Sequence, residues 1–124
     1  MVWISTVEYV EELFKDQIKA GQLMNRQGLV ATLDNVRWGI PFKDAPTIWD
    51  QVVILYKEII ENHYFTGGNK RIASLLAYVF LYRNGYEFSP PEGEVFRVTL
   101  DAAQGLKSFE VIKEWFKKYS ERIE

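Results

Sequence analysis

Apolar residues recur along this chain at spacings of three and four, the period of a helix with one face turned to a core. Val7, Val10, Phe14 and Ile18 form the first such stripe. It is opened by Ser5-Thr6-Val7-Glu8, which reads as a capping box, and closed at Gly21. Leu29, Leu33 and Val36 mark a second, shorter helix, after which Gly39, Pro41 and Pro46 predict a turn or short extended flap over residues 39–46. Thr47 with Asp50 opens a third helix by the same capping logic. Its main stripe is Ile48, Val52, Leu55, Ile59 and Ile60, but Val53, Ile54 and Tyr56 fill much of the remaining circumference. A helix apolar nearly all round belongs at the centre of a fold.

His63 ends that helix, and two consecutive glycines break the pattern before it resumes at about Asn69. Ile72, Leu75, Leu76, Val79 and Phe80 carry the fourth helix to Asn84-Gly85, and Ser89-Pro90-Pro91 makes a loop. Val95, Val98 or Thr99, and Ala102 suggest a short fifth helix. Ser108 caps a last one with Val111, Ile112, Trp115, Phe116 and Tyr119. No strand-rich stretch or internal repeat interrupts the series. The expectation is an all-α bundle of about six helices, with residues 1–124 forming a single domain.

Composition supports a folded chain: 48% of its 124 residues are hydrophobic and 15% aromatic, too much apolar mass for a disordered segment. Fifteen basic residues are mixed among seventeen acidic ones, for a net charge of −2, which argues against a surface dedicated to coating nucleic acid. The absence of Cys removes disulfides and Cys-based zinc sites. Polar residues follow Ile4 at once, so no signal-peptide core forms there, and no apolar run approaches the roughly 18 residues that span a bilayer. The reading is a cytoplasmic protein with no membrane partner.

Chemistry concentrates in His63-Tyr64-Phe65-Thr66-Gly67-Gly68-Asn69-Lys70-Arg71. A helix that starts just behind a Gly-Gly turn offers unpaired N–H groups and its positive dipole end to an anion, and the glycines allow close approach to the backbone. Lys70 and Arg71 place two cations in a first turn, where the dipole serves them worst, an arrangement that makes sense if phosphate arrives to compensate. A Gly-Gly turn between helices is also often only a turn, and Asn69 often only an N-cap. His63 is the sole histidine, which excludes a paired-histidine zinc site and leaves proton transfer as its chemical option, against the commoner role of a helix-end packing residue. The P-loop pattern is absent because Lys70 follows Asn69.

The same stretch resembles the Fic/Doc signature His-x-Phe-x-Asp/Glu-Gly/Ala-Asn-x-Arg and matches every specified position but one. Lys70 gives the Asn-Lys-Arg ending of the Doc (death-on-curing) branch, and Ser74 stands where many Fic proteins carry a second arginine. The flap at residues 39–46 and the helix end Leu81-Tyr82-Arg83-Asn84-Gly85-Tyr86 are also similar to the family's. The resemblance implies a protein-modifying transferase. Fic members move a nucleotide monophosphate onto a target hydroxyl, and Doc moves the terminal phosphate of ATP onto a threonine of elongation factor Tu. By position, His63 is then the catalytic base, and Gly67, Gly68 and Asn69 the phosphate cradle. Lys70 and Arg71 are its charged supports, Phe65 is a core anchor, and the flap aligns the target's main chain. The implied cofactor is ATP or another nucleoside triphosphate; the implied partners are a target such as a translation factor and an antitoxin.

Gly67 is the departure: it occupies the acidic position that holds Mg2+ in the family. Metal stabilisation in phosphoryl transfer is worth several kcal/mol, and losing about 4 kcal/mol slows turnover roughly a thousandfold. The alternative reading is therefore a catalytically inactive nucleotide- or protein-binding module of the same fold.

Overall fold

A computed structural model of the chain describes residues 2–19, 21–39 and 45–123. Within them lie six helices: α1 (Val7–Gln17), α2 (Arg26–Trp38), α3 (Ile48–Asn62), α4 (Asn69–Arg83), α5 (Glu94–Ala103) and α6 (Phe109–Lys118). The all-α architecture expected from the periodicity is present. Two three-residue strands, β1 (Tyr86–Phe88) and β2 (Ser120–Arg122), add a small antiparallel ribbon that helical spacing did not predict. Residues 40–44, the middle of the expected flap, lie outside the described residues.

The α3/α4 hairpin is the centre. Along α3, Gln51 to Tyr56, Ile59 and Ile60 are all buried, as an all-round apolar helix requires, and α4 lays Ile72, Ala73, Leu76, Ala77, Phe80 and Leu81 against it. The small Ala73 and Ala77 let the two backbones come close. Around this hairpin α1 contributes Val10 and Phe14, α2 contributes Leu29, Leu33 and Val36, and α6 contributes Ile112, Trp115 and Phe116 to one core cluster. No helix among the described residues is long and apolar enough to cross a membrane.

Helix starts follow local chemistry, with one shift of register. Thr47 and Asp50 form the reciprocal capping box expected of them. At α1 the cap is Thr6, whose hydroxyl accepts from Tyr9 N at 3.1 Å, so the Ser5–Glu8 box does not form. Ser5 is buried instead, and Glu8 pairs with Arg26 of α2. The same helix ends at Gln17, with Lys19 taking the left-handed conformation (φ 59) ahead of Gly21. Gly21 has a different use, described below. At the other end of the hairpin, Gly85 (φ 95) turns the chain from α4 into β1, and Asn84 holds the backbone of Trp3 through both ends of its amide.

Candidate functional site

The loop between α3 and α4 begins with a residue in an uncommon conformation. His63 caps α3 with φ 50 and ψ 58, and its side chain is exposed. Helices commonly end in this left-handed region, but on Gly or Asn, because a Cβ there meets the backbone at a cost of roughly 1–2 kcal/mol. A histidine kept at such a position faces solvent at the mouth of the loop.

Beyond His63 the chain dives inward. Tyr64 and Phe65 are buried, and Phe65 stacks on Phe14 with ring centroids 4.1 Å apart and planes 13° apart. Phe65 is thus the core anchor expected of it. The underside of the loop is hydrogen-bonded to residues 21–25. Met24 N and Asn25 N donate to Tyr64 O, Leu23 bridges Phe65, Thr66 N donates to Gln22 O, and Gln22 N donates to Thr66 Oγ1. Gly21 is needed for this approach, since a Cβ there would lie 2.3 Å from Thr66 Oγ1 and 3.1 Å from Gly67 N.

Gly68 is the N-cap of α4, with φ 73, and a Cβ on it would meet Ile18 Cγ2 at 2.6 Å. Torsion and the pressure of α1 both demand glycine there. Asn69 is therefore the first helical residue and not the cap. Its side chain closes the turn on itself: Oδ1 accepts from Phe65 N at 3.0 Å and Nδ2 donates to Phe65 O at 2.8 Å. No side chain caps α4, so the N–H groups of its first turn have no intrahelical or side-chain partner there. Lys70 and Arg71 are exposed and make no ion pair among the described residues. His63, Gly67, Gly68, Asn69, Lys70 and Arg71 are thus gathered in one tight turn, with the Asn69 amide spent on holding that turn.

Beside the two cations opens a cavity of about 780 Å³ between α4, α5 and α6. Lys70, Arg71 and Ser74 line one side, and Phe96, Thr99 and Trp115 line the others. Ser74 Oγ donates to Lys70 O and lies 3.2 Å from Thr99 Oγ1, which in turn lies 2.5 Å from the hydroxyl of Tyr56. Burial pushes the Tyr56 phenol up to about 12, against the opposing hydrogen bond with Thr99, so it stays neutral over any working pH. Sequence spacing pointed to none of Tyr56, Phe96 or Thr99 as site residues, because the cavity joins helices far apart in the chain.

At the signature's acidic position the chain offers a magnesium ion no carboxylate. Gly67 brings no side-chain oxygen to the position where the family's carboxylate stands, and among the described residues no cluster of three or more His, Cys, Asp or Glu side chains is placed to hold a metal.

An exposed histidine and an uncapped helix start bearing two exposed cations thus share one loop, and an apolar cavity opens beside it. The family model described as Fic/DOC matches residues 7–81, which takes in α1 to most of α4 and the whole loop. The chain belongs to the Fic/DOC family. Members are Fic-type transferases that move a nucleotidyl or phosphoryl group and generally bind ATP as donor. No curated protein matches the chain.

Proposed function

We propose that the chain works as a single Doc-like domain in the cytoplasm, transferring a phosphoryl or nucleotidyl group from a nucleoside triphosphate to a hydroxyl of a target protein. The observation that carries this reading is His63, held in a costly backbone conformation at the edge of the uncapped α4 start. In the reaction the target's oxygen forms a bond to phosphorus, the phosphoanhydride bond breaks, ADP or pyrophosphate leaves, and the hydroxyl proton passes to His63. The N–H groups at Gly68, Asn69 and Lys70 face the phosphate oxygens, and Lys70 and Arg71 balance their charge. The apolar cavity beside them has room for a nucleoside. Lys70 and Ser74 favour the Doc branch, with a translation factor as target and an antitoxin as the chain's own partner.

A second reading has one observation in its favour: Gly67 removes the carboxylate through which the family recruits metal, which suits a nucleotide- or protein-binding module without turnover.

Expression in a bacterial host separates the two. The transferase should arrest growth and label a cell protein from ATP, with γ-label appearing for phosphoryl transfer and α-label for nucleotidyl transfer. His63→Ala should abolish both effects while the protein stays folded. ATP binding without labelling from either position, or arrest that survives His63→Ala, would favour the binding module.

A further inference from the structure

Tyr64 occupies a position that the signature leaves open, yet it is buried and its hydroxyl meets two partners. Asn62 Nδ2 donates to Tyr64 Oη at 3.0 Å, and Tyr64 Oη lies 2.6 Å from Thr32 Oγ1 on α2. Thr32 Oγ1 in turn lies 2.8 Å from Glu58 Oε1, and the Glu58 carboxylate also accepts from Asn35 Nδ2 at 3.1 and 3.2 Å. A carboxylate only accepts, so the direction of the whole chain is determined. Thr32 gives its proton to Glu58, Tyr64 gives its proton to Thr32, and the Tyr64 oxygen is left to accept from Asn62. A run of hydrogen bonds aligned in one direction and ending on a charge strengthens each member.

The last link spans His63. Asn62 and Tyr64 are the residues on either side of it, so their side-chain bond closes a small ring around the one residue of the loop whose positive φ a glycine does not supply. The far end of that ring is fixed to α2 and α3. The ring of Tyr64 also has a prepared slot: a Cβ on Gly28 would lie 2.6 Å from Tyr64 Cε1, so α2 gives up a side chain where the tyrosine passes.

We propose that Tyr64 is a positioning residue, whose hydroxyl, bonded to Asn62, Thr32 and through it Glu58, holds His63 in its left-handed conformation and so aims its imidazole. The proposal rests on the reading of His63 as the proton acceptor. A group misplaced by about 1 Å can cost as much as a hundredfold in rate without loss of binding, so the signature of positioning is a fall in kcat with KM preserved.

The experiment uses Tyr64→Phe in the full chain, which keeps the ring in its slot and removes only the oxygen. His63 is the sole histidine, so its imidazole signals in a proton–carbon NMR spectrum are assigned without further variants. Tyr64→Phe should broaden the His63 signals through microsecond-to-millisecond exchange, and should lower kcat for transfer from labelled ATP by about tenfold or more with KM for ATP within about twofold. Asn62→Ala, on an exposed residue, should move both readouts in the same direction. Thr32→Ser, which keeps the hydroxyl, should leave them at wild-type values. Sharp, unshifted His63 signals and an unchanged kcat in folded Tyr64→Phe would overturn the proposal. Where the wild-type chain transfers nothing, the NMR arm decides alone: broadening upholds the clamp and only the proton-acceptor reading falls, while unchanged spectra remove the clamp.

Discussion

His63 carries a backbone cost that asparagine at the same position would avoid. Its φ of 50 lies in the region that Asn tolerates through local hydrogen bonding and that Gly enters freely, and an exposed side chain offers no packing in return. His63→Asn should therefore raise stability in urea unfolding by about 0.5–1 kcal/mol while removing transfer activity. A mutant less stable than wild type would mean that the imidazole itself holds the loop. Gly67 poses the converse question. The positive φ of the turn belongs to Gly68, so the conformation that glycine favours falls one residue beyond the substituted position. Gly67→Asp returns the family's carboxylate to the loop, and magnesium is held by one or two carboxylates together with substrate phosphate oxygens. The new charge also repels bound triphosphate when no metal screens it. The expected outcome is weaker ATP binding in chelator, tighter binding with magnesium, and faster labelling of a target. A folded mutant with no magnesium dependence and no gain in transfer would show that position 67 is not a lost ligand position in this chain.

Helices were legible in the sequence because each buries a stripe whose period is a property of the helix alone. Val10 with Phe14, Leu29 with Leu33 and Val36, and Ile112 with Trp115 and Phe116 are all buried where that period puts them. Caps were legible to within a residue, because Ser5 and Thr6 offer the same hydroxyl and only packing decides which is used. The ribbon of β1 and β2 was not legible: Tyr86-Glu87-Phe88 is too short to display alternation, and its partner lies 34 residues on, at Ser120 to Arg122. The motif loop was readable as a set of residue types but not as an arrangement. That Asn69 spends its amide on Phe65, and that Tyr64 reaches Thr32, are facts about side chains meeting across elements, which no local spacing encodes. The cavity follows the same rule, being formed only when α5 and α6 close over α4.

On the scale of the whole molecule, the loop and the cavity depend on different parts of the chain being held together. Residues 7–81 contain the loop and the α4 wall of the cavity, while Phe96, Thr99 and Trp115 come from the segment beyond. Among the described residues, a charged link between these parts joins Asp50, at the start of α3, to Lys113 of α6 at 2.9 Å. Burial raises the Asp50 carboxyl, but hydrogen bonds from Lys113 and Thr47 outweigh it and leave the group below its ordinary 3.8. The same pairing holds Lys113 above its ordinary 10.5. A carboxyl depressed on folding stabilises the native state fully above its unfolded value, and that stabilisation is lost as pH falls through the lower folded value. The lysine's share is present below 10.5 and lost only as pH rises through its raised folded value, so acid titration reports Asp50 alone of the two. Both side chains are partly exposed, which screens the pair, and Asp50 also serves the capping box of α3. Asp50→Asn should therefore lower stability by roughly 1 kcal/mol at pH 7. Below pH 3.8 the wild-type carboxyl protonates and comes to resemble the amide, so the gap between the two proteins should narrow as the pH is lowered further. Urea unfolding at a series of pH values from neutral into this range measures the gap directly. A constant gap across the series would mean that Asp50 acts through the cap geometry and not through its charge, and that apolar packing such as that of Tyr56 on Trp115 and Phe116 holds the α3–α6 junction without help from the ion pair.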